Sequence, residues 1–148
     1  MSTLSPLPVA ADLTFITSEE INVSKLLDKA HSPNAGGIVL FCGEVRGNQA
    51  GKPVSYLVYE AYAPLADKII KEIIQTAIQK WNLTSAAALH RIGKLGISDC
   101  AVAVVTAHVH RKEAYAANQY IIDRIKHEAP VWKCEYFEDG THEWGQNC

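Results

Sequence analysis

Apolar runs and polar breaks along the chain predict its elements before any chemistry is considered. "DLTFITSEEI" reads as a short strand that runs into a helix start, where Ser18, Glu20 and Asn22 offer caps for a short helix, "NVSKLLDKA". "HSPNAGG" is a loop, and "GIVLFCGEVR" is a buried strand from Gly37 to about Cys42. "GNQAGKP" is a polar, glycine-bearing stretch of the length of a hairpin connection or a flap, and "VSYLVYEAY" alternates as a β-branched and aromatic strand. Pro64 suits a first helical turn, and an apolar stripe follows it from Leu65 through Ile69, Ile70, Ile73, Ile74, Ala77 and Ile78 to Trp81. "SAAALHRIG" reads as a strand, "GKLGISD" as a turn, and the almost wholly apolar "CAVAVVTAHV" as a central strand.

"RKEAYAANQYIIDRIKHE" is the second long helix, with Ala114, Ala117, Ile121 and Ile125 on one stripe. Pro130 ends it, because the ring removes a donor and pushes Ala129 out of helical geometry. "VWKCEYFEDGTHEW" is a hairpin around the turn pair Asp139-Gly140. The order β-α-β-β-α-β-β-α-β-β predicts an α+β, two-layer sandwich with hairpins on one side and helices covering one face.

A length of 148 residues favours one domain, spanning 12–148 behind a Pro/Ser/Ala-rich N-terminal arm at 1–11. The net charge of −2 gives no global basic character, so no nucleic-acid partner is expected and any anion site must be local. Cys42, Cys100, Cys134 and Cys148 are scattered without CxxC or metal-ligand spacing and read as reduced thiols of a cytoplasmic protein, Cys42 and Cys100 as core. No signal-peptide pattern and no membrane-spanning run is present.

Three clusters carry candidate chemistry. In "FCGEVRGN", Arg46 sits at a strand end beside glycines, suited to phosphate or carboxylate. In "TAHVHRKE", His110 and Arg111 flank a helix start, where free N–H groups favour an anion. In "KHEAPVWKCE", Lys126 and Lys133 lie seven residues apart across a Pro-Val-Trp reversal that can bring both over one cleft, with Ile122 one turn before Lys126 as a floor. A lysine desolvated beside other cations gives up its proton more readily and becomes an acid, base or nucleophile. Two other readings stand beside this one. A non-catalytic binding module would use the same cations for docking, and a zinc hydrolase would use His90, His108 and His110.

"GIVLFCGEVRGN", "LVYEAY", "HRIGKL", "AHVHRKEAYAA" and "IDRIKHEAPVWKCE" resemble, in order and spacing, the signature of the MoaE family, the large catalytic subunits of molybdopterin synthase. The resemblance runs from about residue 13 to 145. It implies an α/β-hammerhead element with a β-hairpin subdomain, and a homodimer within a heterotetramer. The partner it implies is a small ubiquitin-like sulfur-carrier subunit, whose C-terminal Gly-Gly thiocarboxylate enters a pocket of the large subunit. The implied activity is sulfur transfer to cyclic pyranopterin monophosphate to form the molybdopterin dithiolene, with no cofactor and no metal. The family's binding positions fall on Glu44, Val45, Arg46, His110, Arg111, Lys126, Lys133, Cys134 and Glu135, with Phe41 and Ile122 as pocket wall. Lys126 is then the principal acid/base and Lys133 its electrostatic support, both counted as catalytic. Arg46, His110 and Arg111 anchor phosphate and pterin, one arginine across the dimer being an option. Two departures stand out: Cys134 replaces a lysine common in relatives, and the chain ends at Cys148, earlier than several of them.

Overall fold

The computed structural model describes residues 15–146; the arm expected at 1–11 and Cys148 lie outside them. Nine strands and three helices are described: β1 Ile16–Thr17, α1 Val23–Ala30, β2 Gly37–Glu44, β3 Asn48–Gln49, β4 Lys52–Ala61, α2 Ala63–Trp81, β5 Ser85–Arg91, β6 Gly93–Gly96, β7 Cys100–His108, α3 Arg111–Glu128, β8 Val131–Phe137 and β9 His142–Gln146. They form an α+β fold with two sheets. The first runs β1-β5-β7-β2, and the second runs β3-β4-β8-β9 with β6 also paired to β4.

The local chemistry explains most boundaries. Asn22 caps α1, its Oδ1 accepting the Lys25 N–H at 3.1 Å. Asn82 ends α2 in the left-handed region, its N–H returning to the Ile78 carbonyl. Ala129 before Pro130 turns extended, and the Pro130 carbonyl accepts the Tyr62 N–H at 3.1 Å, so the end of α3 is tied to the start of α2. Gly140, with φ +88°, makes the turn between β8 and β9 that the Asp-Gly pair predicts.

Two expectations are corrected. "GKLGISD" is not all turn: Gly93–Gly96 is β6, antiparallel to β4 from Tyr59↔Gly93 to Tyr56↔Gly96. Only Leu95 of its four residues is buried, too short a pattern to read as alternation. Nor do the helices cover one face. Helices α2 and α3 pack on the face of the first sheet that carries Ala86, Ala88 and Val104, while Leu26 and Ala30 of α1 pack on Ala103 and Val105 of the opposite face. The almost wholly apolar β7 is what two covered faces require. "GNQAGKP" is a tight hairpin, with Ala50 and Gly51 both at positive φ and Asn48 Oδ1 accepting the Gly51 N–H at 2.8 Å.

Helix α3 is seated on the sheet by polar as well as apolar contacts. Thr106 Oγ1 donates to the Ala114 carbonyl at 2.7 Å, and the buried Asn118 amide donates to the carbonyls of Val39 and Val104 at 3.1 and 3.0 Å. Asn118 thereby bridges the edge strand to the central one. At the other side of the α3 start, a Cβ on Gly36 would lie 2.3 Å from the Val109 carbonyl oxygen, so this close approach needs glycine. The larger core joins α2, α3 and the first sheet to Val54, Leu57, Leu95, Val131 and Phe137 of the second. The seam between the two sheets, at the C-terminal end of α3, is where a cleft opens.

Candidate active site

That cleft is a cavity of about 220 Å³ walled by six elements, one of them β3 with Asn48 and Gln49. The end of β2 and the turn after it bring Glu44, Val45 and Arg46; β4 brings Leu57 and Tyr59; the start of β7 brings Ala101 and Val102; α3 brings Lys126; and β8 brings Lys133 and Glu135. The helix–proline–strand reversal therefore does what the spacing of the two lysines predicts. Lys126 comes from the last turn of the helix and Lys133 from the strand it feeds, and both are half-buried. Lys133 stands directly across from Tyr59, and Glu135 across from Leu57.

Arg46 reaches in from the exposed side, its Nη2 donating to Gln49 Oε1 at 2.9 Å. Gln49 therefore sets the direction of a guanidinium that retains donors for an anion. Val45 takes part differently. Its side chain is buried in the core, its N–H donates to the Asp99 carbonyl at 3.0 Å, and its carbonyl accepts the Ser98 N–H at 2.9 Å. It shapes the wall through its buried side chain and backbone bonds. Phe41 packs beside cavity-lining Gly43, a ring carbon 3.4 Å from where a Gly43 Cβ would lie, and is not itself among the residues walling the cavity. Ile122 packs half-buried against the larger core and is not among the residues walling the cavity.

Tyr59 is a site residue that sequence reading placed only in a strand. It is buried, and its hydroxyl is pushed up to about 12 by burial and then by Glu135, with Arg46 pulling the other way. It is thus a proton-bearing donor across the whole working pH range. Behind it lies His90, fully buried, with its ring edge-on to the Tyr59 ring at 5.0 Å between centroids. Burial, and next in the same direction the charge of Lys126 against an opposing bond to the Arg91 carbonyl, lower the His90 imidazole to about 4.

Cys134 does not join the site. On β8, Lys133 and Glu135 face the cavity, so Cys134 faces the other side of the sheet, fully buried among Trp132, Tyr136 and its cross-strand neighbours Val58 and Trp144. Cys134 shares a side-chain hydrogen bond with Tyr136, a partner a serine hydroxyl can keep, so Cys134→Ser is expected to leave both turnover and the denaturation midpoint close to wild type. Cys42 and Cys100, expected in the core, are only half-buried. Burial and then the Cys42 thiol beside it push Cys100 up to about 11, which makes it a poor nucleophile.

His110 and Arg111 do not converge with the other cations in one chain. They line a separate depression of about 450 Å³ with Gly36, Val109 and Lys112 at the start of α3. Arg111 and Lys126 are fifteen residues apart on one helix, which is about 22 Å at the helical rise. The zinc arrangement fails on the same geometry. His90 pairs with Val102, six residues along β7 from His108, or about 20 Å in a strand. Among the described residues no group of three or more His, Cys, Asp or Glu stands close enough to hold a metal. His108 instead accepts the His110 N–H at 2.8 Å through Nδ1.

Comparison with known proteins agrees with this fold. The family described as MoaE protein matches residues 16–128. The chain is similar to the molybdopterin synthase catalytic subunit of Staphylococcus carnosus, at 43% identity over 87% of this chain and 85% of that one. It is similar to the subunit of the same name from Thermoplasma volcanium, at 40% identity over 87% of this chain and 94% of that one. The crystal structure of molybdopterin synthase from Staphylococcus aureus superposes with a TM-score of 0.84 at 38% identity, covering 89% of this chain and 96% of that one. On sequence and fold together, the chain belongs to the MoaE protein family, whose curated relatives are catalytic subunits of molybdopterin synthase.

Proposed function

We propose that the chain catalyses the sulfur-transfer step of molybdenum cofactor biosynthesis, moving sulfur from the C-terminal thiocarboxylate of a small ubiquitin-like carrier subunit to cyclic pyranopterin monophosphate and building the molybdopterin dithiolene. The observation that carries this reading is the meeting of Arg46, Lys126 and Lys133 in one cavity of a chain whose net charge is −2. Both reactants are anions, one a cyclic phosphate and the other a chain terminus, and a focused cationic cleft suits both. In each transfer the thiocarboxylate sulfur forms a bond to a side-chain carbon of the pterin as a carbon–oxygen bond at that carbon breaks, the oxygen leaving as water or staying on the phosphate. Water then cleaves the acyl–sulfur bond, and the carrier leaves as a carboxylate.

The cleavage passes through a tetrahedral oxyanion, and Lys126 is the acid/base that serves it. Lys133 and Arg46 hold negative charge, Glu135 orients Lys133 from two residues along the same strand face, and the Tyr59 hydroxyl adds a neutral donor. His110 and Arg111 serve a second copy's cavity in a homodimer that carries one carrier at each end, as a cytoplasmic heterotetramer. Phe41 and Ile122 flank the path of the carrier tail.

The test is a reconstitution from this protein, a thiocarboxylated carrier and cyclic pyranopterin monophosphate, without added metal. Dithiolene product is expected. Carrier binding with no product, under conditions where a known synthase turns over, contradicts the catalytic assignment and leaves a docking module.

A further inference from the structure

His90 is a buried titratable group that the proposed chemistry does not use, and its surroundings say what it does. It lies on β5 beneath the cavity. Its cross-strand partner Val102 lines the cavity, its ring neighbour Tyr59 lines the cavity, and Lys126, whose charge reaches the imidazole, lines it as well. His90 Nδ1 lies 2.9 Å from the Arg91 carbonyl oxygen. A carbonyl only accepts, so Nδ1 carries the proton, and in the neutral ring Nε2 is left with a lone pair. A fully buried acceptor needs a donor. Neither His90 nor Lys126 is without a partner.

The groups around the imidazole narrow the choice. From α3 comes Lys126; from β4 comes Tyr59, itself under the influence of Glu135 of β8 and of Arg46. On β1, Ile16 is the strand neighbour, and the Asp67 carboxylate of α2 is taken up by the N–H groups of Phe15 and Ile16 at 2.7 and 3.0 Å. Tyr59 meets the ring edge-on, and Lys126 is the donor whose positive charge acts on it.

We propose that His90 is a positioning residue for Lys126: its Nε2 lone pair accepts a hydrogen bond from the Lys126 ammonium beneath the cavity floor and fixes where that ammonium points. The inference rests on the proposed role of Lys126, and it adds the reason the lysine is held in one orientation. The acceptor is neutral, so it directs Lys126 without cancelling the positive charge that the anionic reactants need. A carboxylate in its place would form an ion pair and weaken the field of the cleft. The His90 tautomer is set in turn by the backbone of the next residue, so strand β5 itself transmits the alignment.

The first readout does not involve turnover. The ¹⁵N resonances of His90 in the full-length protein should show a neutral ring protonated at Nδ1 from pH 5 to 8. The Nε2 signal should move clearly in Lys126→Met and stay in place in Tyr59→Phe. An Nε2 signal unmoved by Lys126→Met overturns the contact, while loss of activity in Lys126→Met separately upholds the catalytic reading.

The second readout is kinetic, in the assembled enzyme. His90→Leu keeps volume and removes the acceptor. It should lower kcat roughly tenfold or more with KM for both substrates unchanged. An ammonium deprived of its acceptor is more acidic, so the basic limb of the kcat–pH profile should move down by about one unit. His90→Gln, which keeps an oxygen near the Nε2 position, should restore most of both. A folded His90→Leu with the wild-type pH profile overturns the inference, and if that variant does not fold, the resonance test decides alone.

Discussion

Lys126→Ala is expected to cost about 10³-fold in turnover while leaving the fold and carrier affinity close to wild type, the range a single acid/base group supplies. The side chain is half-buried in the last helical turn, so its removal empties part of a polar cleft and leaves the apolar core packing intact, with the His90 acceptor beneath it the one buried group affected. Lys133→Ala should fall less, about 10–100-fold, and mainly through KM for the pterin, because its role is charge rather than proton transfer. Quenched-flow product measurements at saturating carrier distinguish the two. If Lys126→Ala retains more than about a tenth of wild-type turnover, Lys126 is not the acid/base.

The second large effect is on stability against acid. His90 is neutral in the native protein, with its imidazole lowered to about 4, whereas in the unfolded chain it titrates near 6.5. Between these values the unfolded state binds more protons than the native state, so stability rises with pH. The contribution of the buried neutral ring is complete above about 6.5 and is lost as pH falls towards about 4, amounting to about 3 kcal/mol, or a few hundredfold in the folding equilibrium. Asp139 titrates outside that window. The Thr141 hydroxyl and N–H hold its carboxyl down to about 2, so its contribution is lost only in stronger acid. Urea titrations at pH 7, 5.5 and 4 should show the decline in wild type and a flatter profile in His90→Gln. Equal slopes in the two proteins would assign the acid sensitivity elsewhere.

How much of this was legible in the residues alone follows from how far each signal reaches. The long helices are written in repeats that span many turns, and the last reversal is written in Pro130 and Asp139-Gly140, residues whose backbone limits are intrinsic. Lys126 and Lys133 are legible together because a helix-to-strand reversal is a local event. Strand β6 is not, since four residues with one buried side chain acquire their identity only by pairing with β4. The separation of His110 and Arg111 from the cleft is likewise a matter of the whole length of α3, which local motifs do not convey. Tyr59 and His90 become site residues only when β4 of one sheet is laid against β5 of the other. Cys134 is the opposite case. Strand alternation alone puts it on the far side from Lys133 and Glu135, and its inclusion with them came from the family resemblance.

The meeting of two sheets at the end of α3 also explains why a cationic cleft can exist in an acidic protein. Its positive groups arrive from three elements, β2, α3 and β8, each with its own tether: Val45 bonded to the β6–β7 turn, Pro130 bonded to Tyr62, and Lys133 in register with Tyr59. Apolar Leu57, Ala101 and Val102 form part of the remaining wall. Charges held this way on rigid elements need little reorganisation when an anion enters, which is the condition for electrostatic stabilisation of an oxyanion.

The most direct test of the account is a single-turnover experiment with carrier labelled at its thiocarboxylate by sulfur-35, mixed with this protein and cyclic pyranopterin monophosphate. The account predicts that the label moves to the pterin, with two labelled sulfurs in each dithiolene formed, and that Lys126→Ala leaves it on the carrier. Product that carries no label, or label that reaches the pterin equally fast in Lys126→Ala, would contradict it.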